Sequence, residues 1–134
     1  EHFARVVIKE AMKRKQLEKG VQHLVEEGSI QMFADPQIGW QDPILGVVGR
    51  LQFDVLLYRL KDEYGLDVRL DMLPYTVARW PKTKDGKPFQ GTLNGGIKSY
   101  KDSGDRQVCL FDKEWDLKWA TKENPEVEFH MTGA

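Results

Sequence analysis

A chain of 134 residues, 40 % apolar and 31 % charged, has the size and make-up of one soluble globular domain. No apolar run approaches the roughly 18 residues that span a bilayer. No charged-then-apolar leader opens the chain, so neither membrane insertion nor secretion is expected. The net charge of −1 conceals a local asymmetry.

Phe3–Ile8 is mostly apolar on both faces and β-branched in its second half, the pattern of a central strand. Lys13–Glu27 places Leu17, Val21, Leu24 and Val25 on one helical face, and Gly28 follows where a left-handed cap is expected. Gly20 inside that helix costs about 1 kcal/mol relative to alanine, which a close helix–strand contact would justify. Ser29–Ala34 alternates Ile30 and Met32 against Gln31 and Phe33, an edge-like strand. Asp35, Pro36 and Gly39 mark a loop with Trp40 near its tip.

Ile44–Val48 is a second strand apolar on both faces. It runs through a turn at Gly49 into a helix carrying Phe53, Leu56, Leu57, Leu60 and Tyr64 at spacings of three and four, ended at Gly65. Asp67–Leu73 then alternates Val68, Leu70 and Met72 against Arg69 and Asp71. The resulting order is β-α-β-β-α-β, the split βαβ or ferredoxin-like arrangement, in which the first and third strands are central. Those are the two strands apolar on both faces. The reading is an α+β fold, ferredoxin-like over residues 1–74.

A sheet with helices on one face needs cover on the other, and residues 75–134 are the expected supply. Tyr75–Trp80 reads as a strand stopped by Pro81. Phe89 and Leu93 permit a short helix in Pro88–Ile97, but Gly91, Gly95 and Gly96 favour loop. Gln107–Phe111 is a strand that contains Cys109, the lone cysteine, whose apolar setting is that of a buried thiol. With no second cysteine no internal disulfide forms, and a cytosolic compartment is expected. Asp112 is placed to cap a helix running to Lys122 with Trp115 and Trp119 on one face. Asn124-Pro125 stops it before a last strand, Val127–His130.

No catalytic, cofactor or metal motif survives inspection. GTLNGGIKS at 91–99 lacks the lysine that must follow the second glycine of a phosphate loop, since Ile97 stands there. Gly46-x-x-Gly49 opens a helix whose amides can hold an anion, but a tight turn excluding side chains explains both glycines. His2, His23 and His130 are too scattered for a metal site. Asp54 and Asp71 lack a neighbouring nucleophile and read as solvent-facing charges.

The better candidate is a basic stretch. Arg79, Lys82, Lys84, Lys87, Lys98 and Lys101 stand against one acid, Asp85, a local balance of six minus one, or plus five. They are interleaved with Trp80, Phe89 and Tyr100. Cations supply phosphate affinity and exposed aromatics stack on bases or pack on protein, so RNA or ribosome contact stands level with a solvated loop whose charges serve solubility. Between Asp112 and Glu128 six acids meet three lysines, a balance of minus three. Lys13 and Arg14, with Lys15, form a second cluster at a helix start, where the dipole disfavours cations.

Glu1-His2-Phe3, Lys15-Gln16-Leu17, Lys19-Gly20 and Glu26-Glu27-Gly28 together resemble the start of a known domain. Gly46-Val47-Val48-Gly49 with Leu51–Val55, and Pro74–Trp80, match it most densely, and Val127–Thr132 resembles its ending. The chain is similar to the C-terminal domain of the class II peptide chain release factors, which are translational GTPases. Glu10-Ala11 and Arg50 depart from the family pattern.

The resemblance implies a single C-terminal domain fragment over residues 1–134, non-catalytic itself, with the GTPase domain absent from this chain. GTP or GDP and Mg²⁺ would bind in that missing N-terminal domain. Implied partners are the ribosome, through small-subunit RNA and protein, the parent's other domains, and a functional link to class I release factors. A cytoplasmic protein that promotes departure of those factors after peptide release is expected. The rival readings are a stand-alone ferredoxin-like RNA-binding or small-ligand regulatory module, and a small enzyme such as a phosphatase.

Overall fold

The computed structural model describes residues 1–133, which form two compact units, Glu1–Leu73 and residues 74–133. In the first unit, β1 (His2–Ile8), α1 (Arg14–Glu26), β2 (Gln31–Asp35), β3 (Gly39–Val47), α2 (Leu51–Tyr64) and β4 (Val68–Leu73) follow one another. β1 pairs antiparallel with both β3 and β4, and β2 pairs with β3, giving the spatial order β4-β1-β3-β2. That is the ferredoxin-like order, with β1 and β3 central as their two-sided apolar pattern requires.

Period-two alternation sorts the strand residues between faces. Ala4, Val6, Leu45 and Val47 pack with Leu17, Val21 and Leu24 of α1 and with Phe53, Leu56 and Leu60 of α2. On the opposite face Phe3, Phe33 and Ile44 are equally buried. α1 ends at Gly28 (φ 88°) and α2 at Gly65 (φ 65°), both in the left-handed region that favours glycine.

Several details differ from the sequence reading. β3 begins at Gly39, so Trp40 lies on a strand rather than at a loop tip. Burial in β2 is not alternating at its end, where Phe33, Ala34 and Asp35 are all buried. Gly20 serves a helix–helix contact: a Cβ there would stand 2.9 Å from Leu60 and 3.1 Å from Tyr64, both on α2. The glycine turn also needs revision. A Cβ on Gly46 would meet Phe3 at 2.9 Å and Phe33 at 3.1 Å, whereas one on Gly49 meets nothing within 4 Å. Gly46 is a packing residue inside the sheet; the turn does not demand glycine at position 49.

In the second unit, β5 (Val77–Thr83), β6 (Tyr100–Asp102), β7 (Gln107–Phe111), α3 (Glu114–Glu123) and β8 (Val127–His130) form a sheet of order β6-β7-β5-β8. Pro81 does not stop β5. Pairing passes there from β7, through Val77–Arg79, to β8, through Trp80–Thr83, and the Pro81 carbonyl accepts from the Phe89 amide at 3.0 Å. The short strand β6 escaped the sequence reading. Pro88–Ile97 is loop, yet Leu93 is buried in the core with Cys109, Phe111, Ala120 and Val127.

α3 is not capped by Asp112. Its start is closed by Asp116, whose carboxylate accepts from the Lys113 amide at 3.1 Å. Asn124 ends it from a buried position, donating to the Ala120 carbonyl at 2.9 Å while its amide group joins Asn94 through two further bonds. The helix buries Ala120 rather than its tryptophans. Trp115 is 65 % exposed and stacks on Trp119 with ring centroids 5.8 Å apart.

Candidate functional site

The basic residues separate into two groups by their exposure. Lys13 donates to the Gly65 carbonyl at 3.1 Å, where the C-terminal end of α2 favours a cation, and stands 3.7 Å from Glu10. The cluster unfavourable to α1 thus serves α2. Arg14 donates to the Gln41 carbonyl at 2.7 Å and pairs with Asp42 at 3.3 Å. Arg79 donates to the Ala78 carbonyl at 2.9 Å. Lys82 is buried on β5, opposite Glu128 of β8. Lys101 is half-buried and reaches the Asp105 carbonyl at 3.5 Å.

Lys84, Lys87 and Lys98 are exposed. The first two ride a tight turn whose geometry follows from its sequence, Thr83-Lys-Asp-Gly-Lys87. The Thr83 amide donates to the Lys87 carbonyl at 2.8 Å, and Gly86 takes φ 85°. The Thr83 hydroxyl donates to Asp85, and its oxygen accepts from the Lys87 amide. Lys87 lies 3.7 Å from Asp85, but both are largely solvated, so the pair holds the lysine weakly. Lys84 and Phe89 line one open groove of about 700 Å³ with Thr92, Asn94 and Glu126.

Lys98 lies 5.2 Å from the centre of the Tyr100 ring. It borders a second groove of about 310 Å³ with Tyr75, Tyr100, Trp119, Asp112 and Asp116. The two tyrosine hydroxyls are 2.9 Å apart. The interleaved aromatics are not the exposed rings the sequence reading expects: Trp80 and Tyr100 are 5 % and 3 % exposed and Phe89 is half-buried, because all three pack inside the second unit. Trp115 was legible as sharing a helical face with Trp119, but the sequence reading did not single it out as exposed.

The remaining chemistry is sparse. Cys109 is fully buried, and burial pushes its thiol up to about 12, with a smaller opposing effect from Ser99. Among the described residues no group of three or more His, Cys, Asp or Glu is placed to hold a metal ion. The amides of Val48 and Gly49 at the start of α2 are taken by the Gln52 side-chain oxygen at 2.9 and 3.0 Å, which agrees with setting the anion reading of that turn aside. No described helix is long and apolar enough to cross a membrane.

A ferredoxin-like unit followed by a second small unit of mixed helix and antiparallel sheet defines an α+β domain. The family model described as "Class II release factor RF3, C-terminal domain" matches residues 1–121, and the chain belongs to that family. It is 46 % identical over 134 residues to peptide chain release factor 3 of Symbiobacterium thermophilum, covering 98 % of this chain and 25 % of that protein. With the protein of that name from Acaryochloris marina it shares 44 % over 118 residues, 87 % of this chain and 21 % of the relative. The Listeria welshimeri relative is 36 % identical over 128 residues, 96 % of this chain and 24 % of its own length. The chain thus spans about a quarter of the curated relatives it matches.

Proposed function

We propose that this domain is the ribosome-contacting C-terminal part of a translation-termination GTPase. It is non-catalytic, and GTP hydrolysis, with GTP or GDP and Mg²⁺, belongs to a preceding domain of the parent. The parent acts in the cytoplasm and promotes departure of class I release factors from the ribosome after peptide release. The observation that carries this reading is the 46 % identity to a peptide chain release factor 3 across 98 % of the chain.

Contact with small-subunit RNA falls to Lys84, Lys87 and Lys98, which are exposed. Arg79, Lys82, Lys101, Lys13 and Arg14 position the protein's own backbone or lie within it, and support the surface rather than form it. The bonds between Thr83 and Lys87 close the turn and fix the backbone from which its two lysines project.

The test is ribosome binding by the parent protein carrying Lys84→Glu and Lys87→Glu together. Two reversed charges next to phosphates are expected to weaken binding by at least ten-fold at low salt, about 1.4 kcal/mol. The fold should stay intact by circular dichroism, because neither side chain is buried. Binding equal to that of the unmodified parent sinks the RNA-contact part of the proposal.

A further inference from the structure

α2 is apolar on two opposite sides. Phe53, Leu56 and Leu60 face the core, while Leu51, Val55 and Tyr58 point the other way at spacings of four and three. At 3.6 residues per turn these three fall within about 60° of arc. They are 77 %, 55 % and 69 % exposed, and Val48 just before the helix is 78 % exposed. Lone exposed apolar residues are ordinary, but a contiguous stripe on a surface helix is not. Arg59, on the flank of the stripe, is held by Glu27 and Glu63 at 2.7 and 2.5 Å and keeps that edge fixed.

We propose that this stripe docks the body of the same polypeptide that precedes the domain in proteins of this build. Two independent observations carry it. His2 pairs with Val47, so Glu1 lies opposite Val48, and Glu1, Val47 and Val48 line one groove of about 150 Å³. Any chain preceding Glu1 therefore arrives at the end of the stripe. In addition, the relatives are about four times as long as the stretch matched here, and the family is that of a C-terminal domain, so most of such a protein lies upstream.

A body tethered at that point meets the stripe at an effective concentration of the order of millimolar. A contact too small to persist between separate molecules then suffices. The covering surface is apolar, and it sets the angle between this domain and the rest of the parent. The proposal rests on family membership and not on the RNA contact, and its test uses neither lysine of the turn.

The experiment is thiol labelling. Cys109 is buried with its thiol pushed up to about 12, so in this chain a cysteine introduced at Val55 is the one reactive site at pH 8. In the parent its labelling is followed on the peptide that carries residue 55 by mass spectrometry. Val55→Cys is labelled with a maleimide in this 134-residue chain and in the full-length parent. Labelling at least about ten-fold slower in the parent is expected, with Ser103→Cys, on an exposed loop, equally fast in both. Tyr58→Cys repeats the measurement if Val55→Cys disturbs the helix. Equal rates in the two proteins overturn the proposal. So does protection that rises with concentration of the short chain, which identifies a second copy, or protection that needs added ribosomes, which identifies a ribosomal partner.

Discussion

Two glycines three residues apart look equivalent in the sequence and are not equivalent in the fold. Gly46 lies under the rings of Phe3 and Phe33, which are 1 % and 0 % exposed and have nowhere to retreat. Gly46→Ala should lower the unfolding free energy by about 1–3 kcal/mol through overpacking. Gly49 faces open space without a left-handed backbone, so Gly49→Ala should change stability by no more than about 0.5 kcal/mol. Urea unfolding of the two variants, compared at constant m-value, checks the contrast. A costly Gly49→Ala would restore the turn explanation.

Cys109 makes a second residue-scale test. Its folded thiol is raised from 9.0 to about 12, chiefly because burial disfavours the thiolate. An unfolded chain sheds that proton from about pH 9 upward while the folded chain keeps it. The stabilisation is therefore complete below pH 9 and is lost progressively as pH rises toward 12. The stability difference between the native chain and Cys109→Ala should be flat from pH 6 to 8 and shrink above pH 9. A difference that stays constant to pH 11 contradicts the assignment.

At the scale of elements, α2 begins without a capping side chain of its own, since Arg50 at its N-cap makes no such bond. Gln52 stands in. Its side-chain oxygen accepts from Val48 and Gly49, and its nitrogen donates to the Ser29 carbonyl at 3.2 Å. One side chain thus ties the end of β3, the start of α2 and the loop before β2. Gln52→Ala should cost about 0.5–2 kcal/mol, the range of a lost cap, while Gln52→Glu retains the acceptor and loses only the Ser29 bond. An alanine variant with an unshifted urea midpoint would show that water replaces all three bonds.

The elements that could be read were those whose burial is periodic. β1, α1, α2 and β4 announce themselves through Val6, Leu17, Leu60 and Leu70, which pack on one face of a sheet. β3 was read short because Gly39–Pro43 is polar and ends in proline, and nothing local says that it pairs with Asp35. β6 is three residues long and is fixed by Val108 and Gln107 across the hairpin. Pro81 misled for a related reason: proline excludes a strand only where its missing amide would have paired, and partner strands change at that position. The apolar stripe on the outside of α2 is visible in the sequence as Leu51, Val55 and Tyr58, but its spacing of four and three is the same helical signal that Phe53, Leu56 and Leu60 give for the core face.

At the scale of the whole molecule, contacts made by the fold reduce the number of candidate charges left exposed. Read along the chain, Arg79–Lys101 offers six cations, and with Lys13 and Arg14 eight. The chain's own carbonyls and carboxylates claim most of the others: Lys13 is held by Gly65, 52 residues away, and Arg14 by Gln41, 27 residues away. Such partners are invisible to a count made in a sequence window. With a net charge of −1 the molecule carries no large net field, so on the proposed reading binding rests on local contact by Lys84, Lys87 and Lys98. Three phosphate contacts predict a slope of log K against log salt of about −2 to −3, whereas six would give about −4 to −5. Titrating ribosome binding by this chain between low and physiological salt separates the two. A slope near the larger value means that further cations join the contact, either Arg79, Lys82 and Lys101 released from within or exposed lysines elsewhere such as Lys15 and Lys19. A slope near zero removes phosphate contact altogether and leaves recognition to protein surfaces.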